Sequence, residues 1–216
     1  MELSQYSVKR LLVEQIRNEI IKGNYMPGQR LRLRDLAAEF NISTQPVRDA
    51  LSELEAEGLV TSEPRRGAVV TQLSPNELQD IYDIRATLER MATTFAVPHL
   101  TEETLIVLEQ LIEEIDQHMG EIIELVRLNF EFHTTLYQAA NRTHLCELIA
   151  TLRHRTEHYL HAYIIDMGAM PYAQEEHRAI VAACRQGDAT LAADIMYDHV
   201  TKAGQGIIDY VERTNG

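Results

Sequence analysis

The segment that decides the fold lies between residues 43 and 51 and reads Ser43-Thr44-Gln45-Pro46-Val47-Arg48-Asp49-Ala50-Leu51. Its apolar residues, continued by Leu54, recur at helical spacing, and Ser43 stands where a helix N-cap is expected. Upstream, residues 33–40 predict another short helix, and only Asn41, Ile42 and Ser43 separate the two. Two short helices joined by a three-residue turn are the geometry of a helix-turn-helix.

The flanking segments complete a winged domain. The apolar spacing over residues 8–21 predicts a first helix. Gly58 ends the helix that begins after Ser43, which is the recognition helix of the helix-turn-helix. Residues 59–61 and 68–71 then read as short strands around a turn with two arginines at its tip, Glu63-Pro64-Arg65-Arg66-Gly67. Such a turn is often only a solvated hairpin. The order of all these signals nevertheless predicts a winged helix-turn-helix domain over residues 1–72.

The charges divide at the same boundary. The chain carries a formal net charge of −13, yet residues 1–72 hold ten Lys and Arg against ten Asp and Glu. The whole excess of acidic residues, and all nine histidines, therefore lie in residues 73–216. A surface that binds DNA must neutralise phosphates, so only the first part suits that partner. With only two cysteines and no CxxC motif, a disulfide framework or a thiolate zinc site is not expected.

The residues of the first domain resemble the DNA-binding domain of the GntR superfamily. The matching positions include Gly23, Pro27-Gly28, Leu31, Asp35-Leu36-Ala37, Ser43, Pro46-Val47-Arg48-Asp49-Ala50-Leu51, Leu54, Gly58-Leu59 and Arg66-Gly67. The resemblance implies that Arg34 and Arg48 hold phosphates or bases. It also implies that Ser43, Thr44 and Gln45 form the tip of the recognition helix, and that Arg66 and Gly67 approach the minor groove.

Two points about this interface stay open at the level of sequence. Many members of the superfamily carry arginine where this chain has Thr44, so the operator does not follow from the family. The alternative role for Arg34 and Arg48 is an ion pair within the domain, with acids such as Asp35 or Asp49.

The second part, residues 73–216, reads as helix throughout. Ser74-Pro75-Asn76-Glu77 combines a capping box with proline at the first helical position, and Thr101 can cap a second helix. Further helices are predicted at about 121–140, 143–165, 171–186 and 188–212. The expected fold class is therefore mostly α, with an N-terminal winged helix-turn-helix and a C-terminal antiparallel bundle of about six helices.

Histidines carry the chemistry of this second domain. Asn129 and His133 share one helix face at i,i+4 spacing, and His177 and His199 follow on the last two predicted helices. Three imidazoles and an amide oxygen would give a divalent cation three to four ligands and leave room for an effector. The alternative is that, in a chain with nine histidines, this helical spacing arises by coincidence. Another set, His154, His158 and His161, could line the effector pocket but is expected mainly on a solvated face.

The motifs around these residues resemble the FCD-type effector domain of one GntR branch. They are Asn129-Phe130-Glu131-Phe132-His133, Glu176-His177-Arg178-Ala179-Ile180, Gly187-Asp188 and His199. The resemblance implies a metal at Asn129, His133, His177 and His199, with zinc preferred and nickel or manganese as alternatives. It also implies a small organic acid as effector. Arg85 matches an arginine typical of this domain and could clamp a carboxylate, or it could pair with Glu89.

Together these features predict a DNA-binding transcription regulator and not an enzyme. It is expected to be a homodimer that binds double-stranded operator DNA and whose operator affinity responds to the organic acid. A metal sensor, and less favourably a metal-dependent hydrolase, are the alternatives. No apolar run of 18 residues is present, so we expect a cytoplasmic protein without membrane association. The effector, the operator and the sign of the response do not follow from the sequence.

Overall fold

The structure is a computed structural model that describes residues 2–161, 164, 168 and 170–215, with side chains for 8–160, 164, 168 and 170–214. The chain divides into two compact units. One comprises Met1–Gln72 together with His154–His158, and the other comprises Leu73–Arg153 together with Tyr159–Gly216. The predicted DNA-binding residues lie in the first unit and the predicted metal ligands in the second.

The first unit is a winged helix-turn-helix, as the sequence predicts. Its elements are α1 (Glu2–Ile21), α2 (Leu33–Glu39), α3 (Thr44–Ala56), β1 (Val60–Glu63) and β2 (Gly67–Val70). The two strands are antiparallel, with Val60 opposite Val70. Ile16, Val47 and Leu54 are fully buried in its core, and each such side chain contributes about 1.5–3 kcal/mol to folding. This core fixes α3 against α1 and leaves the outer face of α3 exposed.

Ser43 occupies the N-cap position of α3, but the expected capping interaction is absent. Its backbone is extended, with φ −74° and ψ 163°, and its side chain makes no capping hydrogen bond within the described chain. Ser74 forms the predicted capping box at the start of the second unit's first helix, where its hydroxyl accepts from the Glu77 amide. The Ser43 hydroxyl thus lies free at the tip of the recognition helix.

The second unit is helical throughout its described residues. Its elements are α4 (Pro75–Ala96), a 3₁₀ turn (Val97–His99), α5 (Glu102–Gln117), α6 (Ile122–Gln138), α7 (Thr143–Thr156), α8 (Tyr159–His161), α9 (Met170–Arg185) and α10 (Ala189–Asn215). Helix α4 runs antiparallel to α10, since Arg90 contacts Asp194 while Tyr82 lies against Gly204. A Cβ at Gly204 would come within 2.5 Å of the Tyr82 ring, so glycine permits this close approach.

One predicted helix, over residues 143–165, is wrong in its extent. Helix α7 ends at Thr156 and α8 begins at Tyr159, while residues 162, 163 and 165 lie outside the described chain. The intervening turn buries Glu157 and His158 and places the Glu157 carboxylate 3.3 Å from Arg17. These tertiary contacts interrupt a pattern that is locally helical. The expectation that His158 is solvated is therefore also wrong, and the side chain of His161 lies outside those described.

No helix in the described part of the chain combines the length and the apolar character that are needed to cross a membrane.

Candidate functional site

A cavity of about 530 Å³ in the first unit gathers positive charge. It is lined by residues of α2, α3 and the β1–β2 hairpin. Five arginines are among the lining residues: Arg30, Arg32, Arg34, Arg48 and Arg66. Such a concentration of guanidinium groups beside an exposed helix face suits a polyanion. The structure brings Arg30 and Arg32 to the same cavity as Arg34 and Arg48.

Arg34 and Arg48 are not held by the acids that the alternative view named. Within the part of the chain that the structure describes, neither forms an ion pair; Arg32, not Arg34, approaches Asp35, at 3.9 Å. Asp49 instead accepts a hydrogen bond from Gln45 at 2.8 Å. Both guanidinium groups therefore keep their donors for an external acceptor, and their contact with DNA stays a prediction.

Of the other predicted DNA-binding residues, Arg66 and Gly67 also line this cavity. Ser43, Thr44 and Gln45 are exposed at the start of α3. In the wing, Arg66 donates to the Glu63 carboxylate at 2.6 Å and to the Gly28 carbonyl oxygen at 3.2 Å, and Gly67 has a positive φ of 77°. These contacts fix the position of the wing, and Arg66 must exchange its pairing with Glu63 if it is to bind DNA with its full charge.

The second unit brings three of the predicted metal ligands together. His133 on α6, His177 on α9 and His199 on α10 are all buried, and each offers a ligand atom within 4.8 Å of the others. Their ring centroids are 4.8–5.3 Å apart. The three histidines lie on three different helices, so only the packing of the bundle creates this triangle.

The hydrogen bonds on Nδ1 determine what the triangle can do. The Nδ1 atoms of His177 and His199 lie 2.8 Å from Gln174 Oε1 and from Glu176 Oε2. Gln174 donates through Nε2 to the Ile112 carbonyl and to Asp116, so its Oε1 is the acceptor. Both imidazoles therefore carry their proton on Nδ1 and present the lone pair on Nε2, as metal-binding histidines do.

His177 supplies the observation that tests whether a metal fits. Its Nε2 is buried and has no hydrogen-bond partner within the described chain, although burying such an atom unsatisfied costs about 1–3 kcal/mol. A cation between the three rings would bind this lone pair. The donor set of neutral imidazoles suits zinc or a similar divalent ion. The residues present therefore fit a metal centre.

The electrostatics keep two of the ligands, His133 and His177, neutral. Burial lowers the pKa of His133 well below its ordinary value of 6.5, and the nearby charge of Arg153 lowers it further. Burial likewise lowers the pKa of His177, assisted by His199. Neutral imidazole is the form that binds metals, so the environment prepares these two histidines even at mildly acidic pH.

Two further predicted site residues lie in the same unit. Asn129 is buried one turn before His133 on α6, and its role as fourth ligand stays a prediction. Arg85 is buried on α4 and donates from Nε to Glu89 at 2.8 Å, the pairing that the sequence offered as the alternative. Burial opposes ionisation of Arg85, but the charge and hydrogen bond of Glu89, together with Tyr82 and Tyr137, outweigh it and raise the arginine's pKa. Its contact with an effector is likewise untested.

Sequence reasoning missed the residues that orient the histidines, namely Tyr137, Gln174 and Glu176. A signal was present for each. Tyr137 follows His133 by four positions and Gln174 precedes His177 by three, so each pair shares a helix face. Glu176 stands beside His177 in the chain but serves His199 on another helix, which no local spacing reveals.

The lowered pKa of His177 predicts how pH affects the metal-free chain. Below pH 6.5 the unfolded chain takes up protons that the folded chain excludes. The free energy of unfolding therefore decreases as the pH decreases, with a slope that approaches about 1.4 kcal/mol per pH unit for each such histidine. Urea unfolding in a chelator between pH 7.5 and 5.5 measures this slope. The variant His177→Gln should lose stability less steeply over that range. Equal pH slopes of the unfolding free energy for wild type and His177→Gln would contradict the lowered pKa of His177.

Comparisons with known proteins show the family of the chain. Residues 9–70 match the family model described as bacterial regulatory proteins, gntR family, and residues 80–202 match the FCD domain. The chain belongs to the GntR family of transcriptional regulators. Its helical unit carries the FCD domain, so the resemblance seen in the sequence is confirmed.

Relatives of this regulator extend over most of its length. It is 30% identical to the Nta operon transcriptional regulator of Aminobacter aminovorans, over 87% of this chain and 89% of that protein. It is 35% identical to the uncharacterised regulator YdhC of Bacillus subtilis, in a match that covers 62% of each chain. The structure of McbR/YncC from E. coli superposes with a TM-score of 0.79 at 25% identity, covering 96% of this chain and 98% of the other. These relatives are transcriptional regulators, which supports the prediction that the chain is not an enzyme.

Proposed function

We propose that this regulator binds a small carboxylic acid at a divalent metal ion in its FCD domain, and that this binding changes its affinity for operator DNA. The single observation that carries the proposal is the convergence of His133, His177 and His199 with the buried, unpartnered Nε2 of His177. Asn129 would add a neutral oxygen ligand. The bound ion would supply a Lewis-acidic position for a carboxylate oxygen. Zinc suits this donor set, with nickel and manganese as alternatives.

Buried guanidinium groups favour an anionic effector. Arg85 and Arg153 both contact the carboxylate of Glu89. Arg85 Nε lies 2.8 Å from Oε1, and Arg153 Nη1 lies 3.5 Å from Oε2. Two positive charges therefore lie beside one negative charge in a buried region next to His133. Guanidinium groups bind carboxylates through paired, charge-assisted hydrogen bonds. A carboxylic acid is the class of effector that this charge distribution favours, and Arg85 is the residue we assign to it.

The DNA-binding role is assigned to the arginine cavity and to the tip of α3. Arg48 and Gln45 lie on the exposed face of the recognition helix, where they would reach base edges in the major groove. Arg34 and the free N–H groups at the start of α3 suit phosphates. Ser43, Thr44, Arg66 and Gly67 complete the proposed surface. Because the partner is operator DNA, we place the regulator in the cytoplasm.

An exposed apolar stripe on α4 supports a homodimer. Ile84, Leu88, Met91 and Phe95 are spaced four, three and four residues apart, so they share one helix face. Ile84 is 51% exposed, Met91 40% and Phe95 37%. A contiguous apolar stripe of this kind marks an interaction surface, and its symmetric spacing suits a second copy of the same helix. A dimer would present two winged domains to paired half-sites.

The stripe gives a direct prediction. Met91→Glu should shift the protein from dimer to monomer in analytical ultracentrifugation, because it introduces a charge into the stripe. Loss of two-site binding should weaken operator affinity by about 100-fold or more. Met119→Glu, at another exposed methionine that lies outside α4, serves as the matched control and should remain dimeric. A Met91→Glu variant that sediments as a dimer would contradict the assignment.

The metal triad also supports a second candidate function, in which the cation itself is the signal. The hydrolase alternative has no such support. Glu131, the acid two positions before His133, is bound to Arg127 at the surface and cannot act as a base in the buried site.

The test combines metal analysis, thermal shift and DNA binding. Operator DNA is obtained by selection from random duplexes, and purified protein is assayed for divalent metal. A panel of small carboxylic acids is then screened for stabilisation of the metal-loaded and the chelated protein, and for a change in operator affinity. An acid that acts only on the loaded protein supports the proposal. Metal that changes operator affinity without any acid favours the metal sensor. If the protein holds no metal and responds to no acid, both the effector proposal and the metal-sensor alternative are contradicted.

A further inference from the structure

His133 differs from the other two histidines in the partner of its Nδ1. The partners of His177 and His199 are amide and carboxylate oxygens, which can only accept. His133 Nδ1 instead lies 3.0 Å from the hydroxyl of Tyr137, one helical turn further along α6. A phenol can donate as well as accept. Tyr137 by itself therefore leaves open which nitrogen of His133 carries the proton.

Glu89 removes this ambiguity. Its Oε2 lies 2.5 Å from the Tyr137 hydroxyl, and an ionised carboxylate can only accept. The Met196 sulfur, 3.2 Å from the same hydroxyl, is a weak neutral acceptor and cannot compete with that charge. The phenol proton therefore points to Glu89, and the phenol oxygen accepts from Nδ1–H of His133. The lone pair of His133 is left on Nε2.

Buried ion pairs hold Glu89 in place. Glu89 is fully buried on α4, with Arg85 Nε 2.8 Å from Oε1 and Arg153 Nη1 3.5 Å from Oε2. An unpaired carboxylate would not remain charged at such a position, but two guanidinium groups stabilise the anion. Helices α4, α6 and α7 thus each contribute a member to a continuous chain of hydrogen bonds and ion pairs that ends on His133.

We propose that Glu89 and Tyr137 are positioning residues of the metal centre. They form a relay, Glu89–Tyr137–His133, that keeps the proton of His133 on Nδ1 and directs Nε2 towards His177 and His199. The proposal rests on the metal-binding function argued above. It predicts that breaking the relay weakens metal binding without removing any ligand. Loss of an outer partner of this kind costs about 10- to 100-fold in metal affinity.

The first test compares two conservative substitutions of buried tyrosines. Tyr137→Phe removes the central hydroxyl of the relay. Tyr82→Phe is the matched control, because the Tyr82 hydroxyl is buried and has no hydrogen-bond partner in the described chain. Competition with a chromophoric chelator measures the zinc dissociation constant of each folded protein. We expect a 10- to 100-fold increase for Tyr137→Phe and an unchanged value for Tyr82→Phe. Equal dissociation constants for wild type and Tyr137→Phe would overturn the proposal.

The second test reads the tautomer directly and needs no metal. ¹⁵N NMR of the imidazole nitrogens in the chelated wild-type protein should show His133 protonated on Nδ1. In Tyr137→Phe, His133 should shift towards the Nε2–H form while His177 and His199 keep theirs. A wild-type spectrum with the His133 proton on Nε2 overturns the relay, even if the variant does not fold. If wild type does not bind metal, the proposed function is overturned instead. The tautomer of His133 in the metal-free protein then still tests whether the relay exists.

Discussion

His177→Ala is expected to abolish tight metal binding by the FCD domain. His177 is fully buried, and its Nε2 is the ligand atom without any other partner in the described chain. The two remaining histidines, with Asn129, would leave an incomplete donor set. We expect the affinity for zinc to fall by at least about 100-fold, the upper end of the range for losing only an outer partner.

The measurement is the stabilisation that zinc confers, because alanine also leaves a cavity beside Phe132, whose ring centroid lies 4.4 Å from that of His177. Wild type at a free zinc concentration 100 times the dissociation constant should gain about 2.7 kcal/mol of unfolding free energy, and the variant almost none. His144→Ala is the control, since His144 is 97% exposed and pairs only with Glu147 among the described residues. A full zinc response in His177→Ala would rule out the three-histidine site.

Arg48→Ala should have the largest effect on DNA binding. Arg48 lies exposed on α3, lines the arginine cavity and forms no ion pair in the described chain. A bidentate contact to a base contributes about 1–3 kcal/mol of discrimination, or roughly 5- to 150-fold in affinity. A dimer carries two copies of the residue, so the loss for a palindromic operator is doubled in free energy.

Fluorescence anisotropy with the selected operator measures this loss, with Arg127→Ala as a control that removes the same charge from a surface position on α6. The salt dependence distinguishes the two arginine roles. Removing a phosphate contact lowers the slope of log affinity against log salt by about one, whereas removing a base contact mainly relaxes sequence preference. Arg34→Ala should show the first pattern and Arg48→Ala the second. Operator binding by Arg48→Ala equal to that of wild type would contradict its assignment.

The turn between α7 and α8 shows where prediction from sequence stopped. Residues 143–165 are periodic enough for one helix, yet the chain turns at Glu157 and His158 to bury both side chains. Ser43 shows a smaller failure. The N-cap position was predicted, but the capping hydrogen bond depends on a rotamer that the pattern does not specify. The capping box at Ser74 was predicted in full, because both of its partners lie within four residues.

The sequence alone determined the order of helices, the wing and the family, because these depend on periodicity, caps and motifs within a few residues of each other. It also supplied the three histidines as candidates. Only the tertiary structure decided that they converge, that Gln174, Glu176 and Tyr137 orient them, and that Arg85 pairs with Glu89. The reason is that the histidine triangle and the Glu176–His199 contact join side chains from different helices. The pairs within one helix share a face, but their hydrogen-bond directions are fixed only when the helices pack and exclude water.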